Sequence, residues 1–224
     1  MTAIKFNRPG NWILLIFLVF FLIFISGKCS ADILVNEVMY DPELNENYYE
    51  WAELYNPINK SINLTGWSLT DNYVTDFLEG DYEHGNGTMI MHPFTYALIT
   101  DHGTKFYNNY STPNSTIKLY VDDSAIGNGL GNNGDKLILR NNENEIMDSV
   151  EWIINYSDVP GNPAFAVKEN YTLSRISNLD RNDSSLDFYE SNTPTPGIKN
   201  IIIEEGKTKI NCSQSFFSSI KMRS

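Results

Sequence analysis

The chain has 224 residues, 42% of them hydrophobic, 20% charged and 13% aromatic, the composition of an ordinary folded protein of one generous domain or two small ones. A formal net charge of −12 leaves no electrostatic footprint for gripping phosphates, so nucleic acid is not an expected partner. Two cysteines cannot make a disulfide-dense scaffold, and their spacing relative to the three histidines matches no zinc site.

Residues 1–31 read as an address. Lys5 and Arg8 precede an unbroken apolar run from Ile13 to Ile25, and Cys29 and Ala31 supply small residues at the −3 and −1 positions of a cut before Asp32. This is the charged, apolar, small-residue order of a secretory signal. As a helix the run would cover roughly 20 Å, short of a hydrocarbon core of about 30 Å, so cleavage is expected and an uncleaved anchor is the alternative. Cleavage would remove Lys5, Arg8 and Lys28, take the net charge to −15 and leave Cys212 as the single thiol. With the signal removed, no membrane span is expected. Nine Asn-x-Ser/Thr sequons, at Asn59, Asn63, Asn86, Asn109, Asn114, Asn155, Asn170, Asn182 and Asn211, fit an exported chain whose surface can carry glycans.

From Asp32 onward short β-prone runs alternate with turn clusters, and no long amphipathic helix pattern appears. The pattern predicts an all-β sandwich or barrel. The expected strands are Ile33–Tyr40, Tyr49–Asn56, Ile62–Leu69, Tyr96–Thr100, Thr116–Val121, Asp135–Arg140, Glu145–Trp152 and Tyr171–Ile176. Asn141-Asn-Glu-Asn144 is a turn set, so the sixth and seventh form a hairpin. Gly80–Gly87, Asn108–Ser115 and Asn155–Asn170, rich in Asn, Gly, Pro and Tyr, read as surface loops. The expected domain covers residues 32–200, and 201–224 reads as a tail whose Ile201-Ile-Ile203 run is too short to span a bilayer.

Five stretches, in order, resemble the lamin tail domain. Leu34-Val-Asn-Glu-Val-Met-Tyr40, with Asn36 and Glu37, is similar to that family's opening strand. Glu50-Trp-Ala-Glu-Leu-Tyr-Asn-Pro57 carries Trp51, Glu53, Tyr55 and Asn56. Ile62-Asn-Leu-Thr-Gly-Trp-Ser-Leu-Thr-Asp71 carries Gly66, Trp67 and Asp71. Asn133-Gly-Asp-Lys-Leu-Ile-Leu139, with Gly134 and Asp135, and Ile146-Met-Asp-Ser-Val150 resemble its late hairpin. Tyr171-Thr-Leu-Ser-Arg175 and Thr193-Pro-Thr-Pro-Gly197, with Pro196 and Gly197, resemble its closing strand and Pro-Gly end. The resemblance implies an immunoglobulin-like β-sandwich with a binding or tethering role, in a family that also occurs appended to exported enzymes. The residues make physical sense without it. Gly66 lets the chain turn before Trp67, whose ring fills the space between two sheets alongside Leu64 and Leu69. Asn36, Glu37, Glu53 and Asn56 are polar groups beside apolar strand positions, and a buried carboxylate needs partners, so hydrogen bonding across loops and strand ends is their expected work.

Catalysis finds no constellation. His84, His92 and His102 come with no His-Glu-x-x-His helix or nucleophile elbow; a His84/His92 pair, or Asp101 beside His102, is the only metal arrangement they suggest. Gly127-Asn-Gly-Leu-Gly131 precedes a strand, not a helix, and so reads as a turn and not as a phosphate loop. Asp180, Asn182, Asp183 and Asp187, and separately Asp71, Asp76, Glu79 and Asp81, offer oxygen ligands that would suit calcium, against the simpler reading of a solvated acidic surface. No other cofactor is expected. Tyr48, Tyr49, Tyr107, Tyr110 and Tyr156 are loop aromatics suited to stacking on sugar rings. The sequence thus predicts a secreted or cell-surface, non-catalytic module whose partner is a cell-envelope protein or polysaccharide. A carbohydrate-binding module is the alternative, and a small metal-dependent hydrolase is a third.

Overall fold

Strand-forming runs separated by Gly, Asn and Pro turns fold into two stacked β layers in a computed structural model that describes residues 32–44, 48–71, 73–155 and 161–202. The expected signal, Tyr156, Cys212 and the Asn211 sequon lie outside the described residues. In chain order the elements are β1 (Leu34–Met39), β2 (Trp51–Tyr55), β3 (Ile62–Asn63), β4 (Ser68–Thr70), β5 (Thr75–Glu79), β6 (Ile90–Met91), β7 (Tyr96–Thr100), α1 (Phe106–Asn109), β8 (Ile117–Val121), β9 (Gly134–Arg140), β10 (Ile146–Ile153), β11 (Ala164–Phe165), β12 (Thr172–Arg175), α2 (Ser184–Asp187) and β13 (Phe188–Ser191). One layer runs β8-β7-β2-β1-β12-β13 and the other β11-β10-β9-β4, while β3 and β6 pair separately.

The two layers are joined by β5, which pairs with β4 from Thr75 to Phe77 and with β8 at Leu78 and Glu79. The apolar side chains of most strands point into the space between the layers. Val35 and Val38 of β1, Leu54 of β2, Leu69 of β4, Leu119 of β8, Leu139 of β9 and Val150 of β10 meet there around Trp67. A β-bulge in β1 shifts the pairing register between Val35 and Glu37, leaving Asn36 as the extra residue. The inward set therefore changes phase along one strand, from Ile33 and Val35 to Val38 and Tyr40. Glu37 and Met39 consequently face outward.

Two expectations need correction. Ile62–Leu69 is not one strand: Gly66, at φ +78°, turns the chain so that β3 pairs with β6 while β4 pairs with β5 and β9. Asn155–Asn170 is not all loop, because β11 within it pairs in parallel with the end of β10. The strands β5, β6, β11 and β13 were not expected.

Candidate functional site

On the outer face of the first layer, Glu37 of β1 and Glu53 of β2 stand opposite each other in register, both fully buried. What buries them is the segment 192–202, which crosses this face as a strap. Glu37 accepts hydrogen bonds from the hydroxyls of Thr172 (2.5 Å), Ser174 (3.0 Å) and Thr195 (2.8 Å), and from the Thr195 N–H. Glu53 accepts from the Asn36 amide at 2.7 Å and from the Gly197 N–H. The Asn200 amide donates in turn to the carbonyls of Asn36 and Arg175, and its oxygen accepts from Asn36 and Thr195. Gly197 sits at φ +84°, and a Cβ there would collide with the Thr116 hydroxyl, so only glycine brings its N–H this close to Glu53. The Asn-Glu of the opening strand, the Glu of the second and the terminal Pro-Gly are thus one clamp.

Burial raises the pKa of Glu37 from its ordinary value and pushes Glu53 well above it, with the charge of Glu37 adding to the second shift. Burial also moves Asp76 and Asp101 up to about 6. As pH rises out of the ordinary carboxylate range, the unfolded chain releases these protons before the native chain does. Stability contributed by protonation is therefore full below the ordinary carboxylate range and is lost as pH rises from there through the raised native values. Thermal unfolding should show a Tm higher at pH 5 than at pH 7.5 by at least about 2–4 °C, the shift that about 1 kcal/mol gives in a domain of this size. Glu53→Gln should flatten that slope. A Tm that rises from pH 5 to 7.5 would contradict the assignment.

Beside the clamp, the same face carries a groove of about 350 Å³. Its floor is Met39 and Trp51, which with Leu98 and Phe106 form a second apolar cluster outside the main core. One wall is aromatic. Phe106 of α1 meets Trp51 edge-on at 6.1 Å and stacks on Tyr110 at 4.9 Å, while the Tyr49 hydroxyl accepts from the Asn109 amide at 2.6 Å. The opposite wall is Pro194 and Pro196 of the strap, and Glu43, Asn170 and Asn192 supply polar groups. Tyr110 is 47% exposed. The rings are fixed by neighbours before any ligand arrives.

The remaining expected residues separate into structural roles. Trp67 is buried in the main core with Leu64 and Leu69. Asn56 is fully buried; its amide donates to the carbonyls of Lys60, Met91 and His92 and its oxygen accepts from the Ile58 N–H. Asp135 accepts from the N–H of Gly131, next to Gly134 at the start of β9, and Tyr55 stacks on Tyr96 at 4.8 Å. Asp71 accepts the N–H groups of Tyr73, Val74 and Asn128, and Asp76 accepts that of Gly127, so the glycine-rich 127–131 segment is a turn tied down by two carboxylates. Both acids are buried, as is Asp187, which the reading of a solvated acidic surface did not anticipate. Asp183 instead caps α2, and Asp180 accepts the Asn182 N–H.

Nor do the histidines converge. His84 lies against Tyr107, the His92 ring bonds the Ser61 hydroxyl, and His102 stacks on Tyr82 at 3.8 Å with its Nε2 3.1 Å from Glu79. Among the described residues no group of three or more His, Cys, Asp or Glu is arranged to hold a metal ion. Of the tyrosines, Tyr49 and Tyr110 line the groove, Tyr48 lies under the Lys105 ammonium, and Tyr107 packs against the second cluster. All eight described sequon asparagines are at exposed positions.

One polar centre was missed by sequence reasoning. Arg175 of β12 lies between the layers, its Nε donating to the Val35 carbonyl and its Nη2 2.5 Å from Asp148 of β10. Its Nη1 stands 3.8 Å from Asp187, which Arg181 binds at 2.7 Å. Asp148 also accepts the Val35 N–H, so one ion pair ties three strands from both layers. Arg175 and Asp148 lie inside stretches quoted above, but no local signal pairs them.

The sequence profile of the family described as Lamin Tail Domain matches residues 28–153, more than half of the chain. No match was found among curated proteins.

Proposed function

The chain belongs to the lamin tail domain family, a family of non-catalytic immunoglobulin-like modules, and on that premise we propose that it is an exported binding or tethering module acting at or beyond the cell surface. The observation that supports this best is the groove over the outer face. It is open to solvent, its aromatic wall is held by internal contacts, and the proline strap that forms its other wall is clamped by buried carboxylates. Such preorganisation lowers the ordering cost of binding. The most buried carboxylates nearby, Glu37 and Glu53, have their oxygens occupied by the strap and by neighbouring side chains. Export rests on the order of residues 1–31 and on the sequons, and N-terminal sequencing of the protein from its own cells should begin at Asp32.

The partner is a component of the cell envelope. Purified chain added to isolated envelopes of its source organism should bind saturably and sediment with them. Purely linear uptake with concentration, or none, would defeat the reading. Direct contact with DNA is not part of this function, and a gel shift at physiological salt should be undetectable for so acidic a chain.

A further inference from the structure

We infer that the groove takes a neutral saccharide, bound by its ring faces to the aromatic wall and by its hydroxyls to the rim. The inference rests on the binding-module reading above and names its ligand class. Tyr110, half exposed and backed by Phe106, presents a flat apolar face, and Tyr49 is fixed beside it through its hydroxyl. Rigid amphipathic rings of this kind give contact area at little entropic cost. The rim chemistry then discriminates. Glu43 offers only acceptors and Asn170 offers an amide donor, and the two are 3.5 Å apart, at the limit of a hydrogen bond to each other. Adjacent hydroxyls of a sugar satisfy both, donating to the carboxylate and accepting from the amide. An uninterrupted proline stretch, the other ligand that suits aromatic walls, has no N–H to offer Glu43.

Two further facts narrow the class. Among the described residues no lysine or arginine lines the groove and the chain carries −12, so an acidic polymer would meet repulsion. The strands beneath, β1 and β2, are paired on both edges, so an extended peptide finds no open backbone to pair with. The volume of about 350 Å³ is at the small end for ligand sites and fits a short stretch of polymer, not a folded domain.

Purified chain would be titrated onto isolated envelopes that are untreated, oxidised with periodate to cleave vicinal diols, or digested with protease. Binding is expected to survive protease and to vanish after periodate. Tyr110→Ala and Glu43→Ala, both at exposed positions, should each weaken binding to untreated envelopes about tenfold with Tm unchanged. Binding that survives periodate and disappears with protease would mean a protein partner, and wild-type binding by both variants would place the contact elsewhere. Either result overturns the saccharide assignment and leaves the binding-module reading standing. Absence of binding to untreated envelopes removes both.

Discussion

Arg175→Met should destabilise the fold by about 3–5 kcal/mol, the usual cost of removing one partner from a buried ion pair. The guanidinium is 3% exposed and lies beside two carboxylates, Asp148 and Asp187, that are buried as deeply. Methionine fills much of the same volume but leaves the Asp148 carboxyl, which burial already pushes up to about 6, with only backbone N–H groups for company, so it must take up a proton or stay charged without a counter-ion. Lysine should fare little better, since one ammonium cannot reproduce the fork that reaches the Val35 carbonyl and Asp148 together. Urea denaturation measures the loss. The informative comparison is Arg175→Met with Asp148→Asn, which removes the orphaned carboxyl and should recover part of the stability. A single-variant loss below about 1 kcal/mol would contradict the placement of Arg175 in a buried ion pair.

The second large effect is at Trp67. Its ring is 5% exposed and its backbone is engaged as well, its N–H donating to the Leu64 carbonyl and its own carbonyl accepting from Leu78. Trp67→Ala should cost about 3–5 kcal/mol through lost contacts and the cavity left between the layers. Phe77→Ala, on the solvent side of β5 and 53% exposed, serves as the control and should change stability by no more than about 0.5 kcal/mol. Equal losses at the two positions would contradict the placement of Trp67 at the centre of the core.

The contrast between these residues shows what a reader of the sequence can and cannot see. Gly66-Trp67 announces itself, because a flexible residue followed by a large aromatic between β-prone runs has few other uses. The β9–β10 hairpin is equally plain, with alternating apolar positions either side of an asparagine-rich turn. The β5 strand is hidden because its inward positions are Asp76 and Leu78 while Phe77 points out, the reverse of the apolar alternation that marks a half-buried strand. The short strands β6 and β11, two residues each, carry too little pattern to detect. Arg175 and Asp148 are 27 residues apart and meet only after the layers close. The groove draws its walls from Met39 to Pro196, so no window of sequence contains it.

The clamp on Glu37 also sets a clock. The hydroxyls that satisfy this carboxylate belong to Thr172 and Thr195, 135 and 158 residues downstream. An emerging chain can pair β1 with β2 early, yet that acid stays solvated until nearly the whole sandwich has been made. Non-local pairings of this kind place folding in the millisecond-to-second range, at the slow end for small domains. During that interval Thr116 and Thr172, the hydroxyl residues of the Asn114 and Asn170 sequons, are within reach of an enzyme; once β8 and β12 are in place they are 2% and 0% exposed. Sugar on those two asparagines would therefore record modification before closure, and sugar confined to sites such as Asn59 and Asn63, whose Ser61 and Thr65 remain exposed, would record modification after it.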